Sequence, residues 1–496
     1  VLDINNNPNN PIINFRSYGD DPNLVGEFGS SFIKGVQDHG MVACAKHFPG
    51  HGNTSIDSHS TLPIIHGDRL ELNNMELLPF KQAVDNGVGM VMVGHISLPG
   101  LDDTNRPASQ SFEIITNLLR YEWGYNGIII TDGMEMGGLT ESTWAGESAI
   151  RAIEAGVDIL LLPIDVEQTI NAVLDAVKDG RLSESRINES VKRIWEIKNE
   201  MGLLNNKHQL PFDELENIIG IPKHQNMAQS IANKSITIVK DDNEQLPLHA
   251  EKIDSLGHII LSLDDGARGY LRSFSRDLIK THGHVKEILI NNKISDLARK
   301  DIINQMNGVD KLIVSLLVRI RMDKGISTID STHSILLSEL KSLGVPIITF
   351  SFGSTYLPSY EKIDTYICSY GYGNISVRAA SNALWGRNLI DGRLPVKLTS
   401  KYSKGYGLVK KKRTEPWNGK LNVDLSQSWA VIDSGIKNQV FPGAQVFIAK
   451  KGKIVFNGGF GTYDYDANST VVSNNSIYDI ASITKVASIT PIVMKL

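Results

Sequence analysis

The sequence predicts an α/β protein of several layers, and three observations carry that expectation. Short apolar runs recur up to about residue 203, each followed by a helical stretch. The runs are apolar almost throughout rather than alternating, as parallel strands covered on both faces are. Polar, chemistry-bearing residues (Lys46-His47, His95, Asp132) stand where the runs end, which is where parallel α/β folds place their sites.

The runs are Val1–Ile4, Met41–Ala45, Gly89–Val93, Ile128–Thr131 and Asp158–Leu162. Helices are expected over Leu24–Asp38, Leu70–Asn86, Phe112–Trp123, Ala145–Glu154 and Glu167–Lys178. A longer amphipathic helix from about Ser183 to Met201 closes the region. This spacing leaves a (β/α)8 barrel and a doubly wound sheet both open. A closed barrel has eight strands, so a barrel with five visible strands would lack its first ones.

At about 100–200 residues per domain, 496 residues imply two to four domains. The expected division is 1–203, a linker at 204–227, a second α/β region at 228–404, a linker at 405–426 and a third region at 427–496. Strands of the second region are expected at Ser235–Val239, Ser255–Leu263, Val285–Ile290, Lys311–Val318, Val345–Phe350 and Thr365–Ser369, with a helix at Ile375–Leu384. That pattern reads as a doubly wound α/β sandwich. Gly257, Gly266 and Gly269 do not form a dinucleotide fingerprint after its strand. The run Lys410-Lys411-Lys412-Arg413 beside Pro416 reads as solvated linker rather than a phosphate or membrane contact. The third region opens with a helix at Trp429–Lys437. A hairpin follows, Ala444–Ala449 and Lys453–Phe460, and then a helix from near Ala481.

Composition excludes several classes. Apolar residues make 41% of the chain and charged residues 21%, an ordinary globular balance. The net charge of -5 argues against a general polyanion binder, so no nucleic-acid partner is expected. No apolar run approaches the roughly 18 residues of a membrane helix. Two cysteines, Cys44 and Cys368, are too few for a disulfide scaffold or a four-thiolate zinc site. The chain opens at Val1 without an initiator Met or signal segment and closes in what reads as mid-helix. Both ends therefore read as cut.

The densest polar cluster runs from Lys46 to Thr54 and on to Asp57-Ser58-His59. Zinc is a poor fit. His47 and His51 are four apart, but Pro49 and Gly50 forbid the helix that makes this spacing useful, and no Glu follows His47. Acid–base chemistry fits better. A carboxylate beside an imidazole fixes its tautomer and lets it give and retake a proton, and Asp57 and His59 are two apart. Lys46 is placed to be a fixed cation for hydroxyl or carboxylate oxygens. Asp132 ends the run Gly127–Ile130, either as a functional carboxylate or as a helix N-cap.

Taken together, these residues resemble glycoside hydrolase family 3, in its β-N-acetylglucosaminidase (β-hexosaminidase) branch. Lys46–Gly52 with Asp57-Ser58-His59 is similar to the family signature, Asn10–Gly19 to the segment before it, and Ile130–Met136 to the nucleophile segment. The likeness extends to about residue 400, through Ser235-Ile236-Thr237 and Gly392-Arg393-Leu394-Pro395. It implies a (β/α)8-type barrel lacking its N-terminal strands, and a retaining mechanism through a covalent glycosyl-enzyme intermediate. Asp132 would be the nucleophile, His59 the acid–base residue and Asp57 its dyad partner. Arg16, Lys46 and His47 would bind the sugar. A neutral deprotonated His avoids like-charge repulsion with Asp132. The dyad argues against the β-glucosidase branch, which draws a Glu from beyond the barrel.

The tail resembles the start of a serine β-lactamase or penicillin-binding-protein domain, in Phe441-Pro442-Gly443-Ala444 and Tyr478–Lys485. Ser482 and Lys485 would form its Ser-x-x-Lys pair. The chain should thus end in a truncated β-lactamase-like α+β domain. The expected activity is release of terminal β-linked GlcNAc from small carbohydrate or muropeptide substrates, without cofactor or metal. The expected location is the bacterial periplasm or cell envelope, with the cytoplasm as the alternative. A hydrolase of another β-glycoside and a non-catalytic carbohydrate-binding protein are the competing readings.

Overall fold

The computed structural model describes residues 1–140, 144–205, 215, 217–321, 324–361, 363–412, 425–450, 453–466 and 468–479. Its first sheet has four parallel strands in chain order, β1 (Cys44–Phe48), β2 (Met90–Val93), β3 (Ile128–Gly133) and β4 (Ile159–Leu161). Helices alternate with them: α1 (Pro22–Gln37), α2 (Arg69–Asn74), α3 (Leu78–Asp85), a π-type helix (Glu113–Glu122), α4 (Gly137–Thr140), α5 (Ala145–Ala155), α6 (Val166–Lys178) and α7 (Glu184–Glu200). This is an alternating α/β fold consistent with a partial (β/α)8 barrel. Val25 and Ile33 of α1, Phe80 of α3 and Leu118 of the π-type helix pack on Ala45, Phe48, Val91 and Ile129 of the strands. The apolar runs are therefore the inner faces of one core.

Two expectations need correction. Val1–Ile4 is buried but is not a strand. Leu2 donates one ladder bond to Lys46 O (2.7 Å), and the Asp3 carboxylate then takes the His47 N–H that a strand partner would use. The single helix expected over Leu70–Asn86 is two. Met75 turns out of helical geometry at φ -122°, ψ -92°, and Pro79, which has no N–H to donate, restarts the helix in the first turn of α3.

The second sheet holds β5 (Thr237–Asp241), β6 (Leu256–Leu261), β7 (Val285–Ile290), β8 (Lys311–Val318), β9 (Ile347–Gly353) and β10 (Thr365–Cys368). Their order is β5-β10-β9-β8-β6-β7. All neighbours are parallel except β5, which runs antiparallel to β10. Helices α8 (Pro222–Ser235), α9 (Ala267–His282), α10 (Asp296–Gln305), α11 (Ser331–Glu339) and α12 (Asn374–Leu384) accompany it. Phe274, Phe350, Ile367 and Leu384 belong to one hydrophobic cluster, and Ile302, Val314, Leu336 and Tyr366 to another. Neighbours along a strand, such as Tyr366 and Ile367, fall into different clusters, as a period of two with both faces buried demands. In the stretch read as a linker, Leu408 bridges to Ile238, Lys410 bridges to Ile390, and Lys410 Nζ pairs with Asp241 at 2.8 Å.

Beyond these lie α13 (Ser426–Lys437) and an antiparallel hairpin of β11 (Gly443–Lys450) and β12 (Lys453–Gly461). Trp429 packs on Phe456 and Phe460, with ring centroids 4.3 and 5.1 Å away. The helix expected near Ala481, with Ser482 and Lys485, lies outside the described residues. Among the described residues, no helix is long and apolar enough to cross a membrane.

The loops of the second sheet meet the turn before α1. Asp20 N–H donates to Pro395 O (3.1 Å), and Asp20 Oδ2 accepts from Lys397 N–H (2.6 Å). Asn14 Nδ2 donates to Ser327 O (3.4 Å), and the Phe15 ring meets Tyr372 edge-on with centroids 6.1 Å apart.

Candidate active site

Parallel strands deliver the residues at their C-terminal ends to one side of the sheet. Lys46 and His47 come from β1, His95 follows β2, and Asp132 is the penultimate residue of β3. Asp57 and His59 sit on the loop between β1 and α2. Asp57 Oδ1 accepts from both the backbone N–H and the Nδ1 of His59, each at 2.8 Å. The His59 side chain is 20% exposed and that of Asp57 7%. The imidazole is thus open to a substrate while its carboxylate partner is not.

His95 links the segment after β2 to the end of β3. It is fully buried, with Nδ1 on Ser109 Oγ (2.7 Å) and Nε2 on Gly133 O (3.0 Å). Burial lowers its pKa, the Asp132 charge pulls it back up, and His59 pushes it down. Asp132 and His59 therefore both lie within electrostatic reach of one buried ring. Gly133 N–H donates to Asp132 Oδ1 (2.9 Å), orienting the carboxylate.

Below the cluster lies Asp3, wholly buried. Its carboxylate accepts from His47 Nδ1 (2.8 Å), from His47 N–H (3.2 Å) and from His51 N–H (2.7 Å). Burial alone would raise its pKa, but His47 and the His51 N–H hold it well below the usual carboxylate range. With Nδ1 occupied by Asp3, Nε2 is the His47 nitrogen left for a substrate. His51 is buried, its pKa lowered by desolvation to about 4, and its Nε2 bonds Ser58 Oγ at 2.8 Å. Asn10 ties the same turn down, donating to His51 O and Gly52 O while accepting from Ile12 and Ile13 N–H.

The structure thus brings Lys46, His47, Asp57, His59 and Asp132 to one end of the sheet. Arg16 is exposed, on the turn before α1, with Nη1 on Ile12 O (3.0 Å). Sequence reasoning missed Asp3 and the link from His51 to Ser58. Asp3 carried a signal, a carboxylate inside an otherwise apolar run, but its partner His47 is 44 positions away. Among the described residues, no group of three or more His, Cys, Asp or Glu side chains could hold a metal ion.

Residues 1–197 match the glycosyl hydrolase family 3 N terminal domain. That part of the chain is similar to the N-terminal domain of glycoside hydrolase family 3. The chain is 34% identical over 268 residues to beta-hexosaminidase A of Pseudoalteromonas piscicida, covering 50% of this chain and 44% of that protein. It is 27% identical over 422 residues to the beta-N-acetylglucosaminidase/beta-glucosidase of Cellulomonas fimi, covering 80% of this chain and 73% of that one. Among solved structures it resembles a family 3 beta-N-acetylglucosaminidase from Paenibacillus, with TM-score 0.69 and 28% identity over 80% of this chain and 75% of that one. It also resembles the beta-glucoside phosphorylase BglX, with TM-score 0.71 and 25% identity over 80% and 73%. The chain spans less than half the length of the Pseudoalteromonas relative.

Proposed function

We propose that this chain carries the sugar-cleaving site of a retaining β-N-acetylglucosaminidase that releases terminal β-linked GlcNAc, with muropeptides as the substrate class. The observation that carries the reading is the His59 imidazole, bonded to buried Asp57 on a loop whose backbone is hydrogen-bonded to the segment that follows Asp132. In the first step the Asp132 carboxylate attacks the anomeric carbon. Protonated His59 gives its proton to the departing aglycone oxygen as the glycosidic bond breaks. In the second step neutral His59 takes a proton from water, and the water oxygen displaces Asp132. Asp57 fixes the tautomer and supports the imidazolium. Lys46, His47 through Nε2, and Arg16 hold the sugar hydroxyls. The similarity to the Pseudoalteromonas beta-hexosaminidase A and the Paenibacillus beta-N-acetylglucosaminidase supports the GlcNAc assignment.

The test compares β-GlcNAc and β-glucoside chromogenic substrates with the full-length protein. GlcNAc should be strongly preferred, and Asp132→Asn should lower kcat by at least about a thousandfold, since it removes the nucleophile. Normal turnover by that variant, or a preference for glucoside, would sink the reading.

The likeness to a beta-glucoside phosphorylase favours one second reading. Because deprotonated His59 is neutral, phosphate could replace water in the second step and leave as the sugar 1-phosphate, freeing Asp132. Product analysis in phosphate buffer separates the two. Ser482 and Lys485 remain a separate proposal, a serine nucleophile with its activating amine. Labelling of Ser482 by an active-site serine reagent tests it, and no labelling would reject it.

A further inference from the structure

The loop that bears His59 is docked on the segment following Asp132, and we infer that two adjacent glycines, Gly137 and Gly138, are positioning residues that set how far His59 stands from the nucleophile. The inference rests on the proposed roles of His59 and Asp132.

Gly137 N–H donates to His59 O (2.9 Å) and Gly138 N–H to Ser58 O (3.1 Å). A Cβ at 137 would stand 2.4 Å from Ser60 O and 2.7 Å from His59 O. At 138 it would stand 2.8 Å from Ser58 O and 3.1 Å from Thr61 O. All these oxygens are backbone atoms of the same loop, so relief requires the loop itself to move. Neither glycine has positive φ, so an L side chain costs no backbone strain there. Ala also favours helix more than Gly does. An added methyl therefore leaves the strand and α4 intact and acts on the docking of the loop. Gly133, nearer the nucleophile, has nothing within 3.6 Å of its Cβ position, so the tight approach belongs to 137 and 138. On its other side the loop is held by the bond between His51 Nε2 and Ser58 Oγ. The acid–base residue is thus gripped between the turn after β1 and the start of α4.

A displaced general acid affects substrates according to how much protonation their leaving group needs. Gly137→Ala and Gly138→Ala, made in the full-length protein, are assayed on a 2,4-dinitrophenyl and a methyl β-N-acetylglucosaminide. For Gly137→Ala, kcat/KM on the methyl glycoside should fall about a hundredfold, while on the dinitrophenyl glycoside it changes less than about threefold. Gly138→Ala, with the roomier contact, should show a smaller split of the same sign. The fall of kcat/KM at high pH on the methyl glycoside, which reports the general acid, should be blunted in both. Equal loss on the two substrates, or no loss on either, overturns the inference. If Gly137→Ala fails to fold, Gly138→Ala carries the same test. His59→Ala is the reference. If it shows no leaving-group dependence, the acid–base assignment itself is wrong.

Discussion

Asp3 is the residue on which the most depends for its size. Three donors from two histidine positions converge on one buried carboxylate, and hydrogen bonds to a charged acceptor are the stronger kind. Asp3→Asn keeps the shape and removes the charge. It should lower unfolding stability by about 2 kcal/mol and raise KM through a loosened His47, which urea denaturation and steady-state kinetics would read. The same group predicts a pH dependence. His51 is held neutral down to about pH 4, whereas an unfolded chain protonates it near the ordinary imidazole value. The unfolded state therefore binds the extra proton between those values, so stability falls as pH drops through that window. The depressed Asp3 acts lower. Its contribution is present above the ordinary carboxylate pKa and is lost as pH falls toward its own reduced value. His51→Gln should thus flatten the loss of stability between about pH 6.5 and 4 and leave the steeper loss below it, as urea midpoints across that range would show. An unchanged slope would mean that His51 is not the group being titrated. The Asp57–His59 pair was legible because its members are two apart in a loop, whereas Asp3 and His47 meet only through folding.

At the scale of elements, most of the architecture was written in the apolar runs. Four of the five runs in the first region are strands, and all six in the second. What the runs could not show is where polar residues inside them go. Asp158 stands just before β4 with no exposed side-chain surface, and accepts from Arg120 (2.6 Å), Arg193 (3.0 Å), Ser190 (2.6 Å) and the Ile129 N–H (3.0 Å). It joins the π-type helix, α7 and β3 through charge rather than through the apolar period that a sequence displays. The antiparallel placement of β5 was equally hidden, because a run buried on both faces looks the same in either direction. Burial lowers the Arg120 pKa, so an Arg120 stripped of its partner is costly. Asp158→Ala should therefore destabilise by about 3–5 kcal/mol, the range for breaking a buried pair from one side. Replacing Asp158 and Arg120 together by apolar residues should cost less than the two single changes summed. A strictly additive double mutant, measured by chemical denaturation, would deny the coupling.

For the whole molecule, the question is why the sheet that carries Asp132 should have a second sheet against it. Most of the hydrogen bonds that join them fall on one short stretch, Asn14 to Asp21, which also contains Arg16, and Tyr356 Oη adds one to Asn5 O at 3.5 Å. Phe15 meets Tyr372 on one side of Arg16, and Asp20 exchanges two hydrogen bonds with Pro395 and Lys397 on the other. The second sheet thus fixes the turn that carries Arg16, the residue proposed to bind the sugar. Gly19 is where this joint is tightest. A Cβ there would lie 2.5 Å from Pro395 O, an atom already committed to the Asp20 N–H. Gly19→Val should push the two sheets apart at this point. KM should rise several-fold as Arg16 loses its setting, with kcat within about threefold because Asp132 and His59, the proposed nucleophile and acid, are held elsewhere; a lost binding contact raises KM without lowering kcat. Scanning calorimetry should show the single transition broadening or dividing, since coupled unfolding depends on the junction. A fall in kcat with KM unchanged would place the effect at the chemical step and refute the view that the second sheet acts through substrate binding.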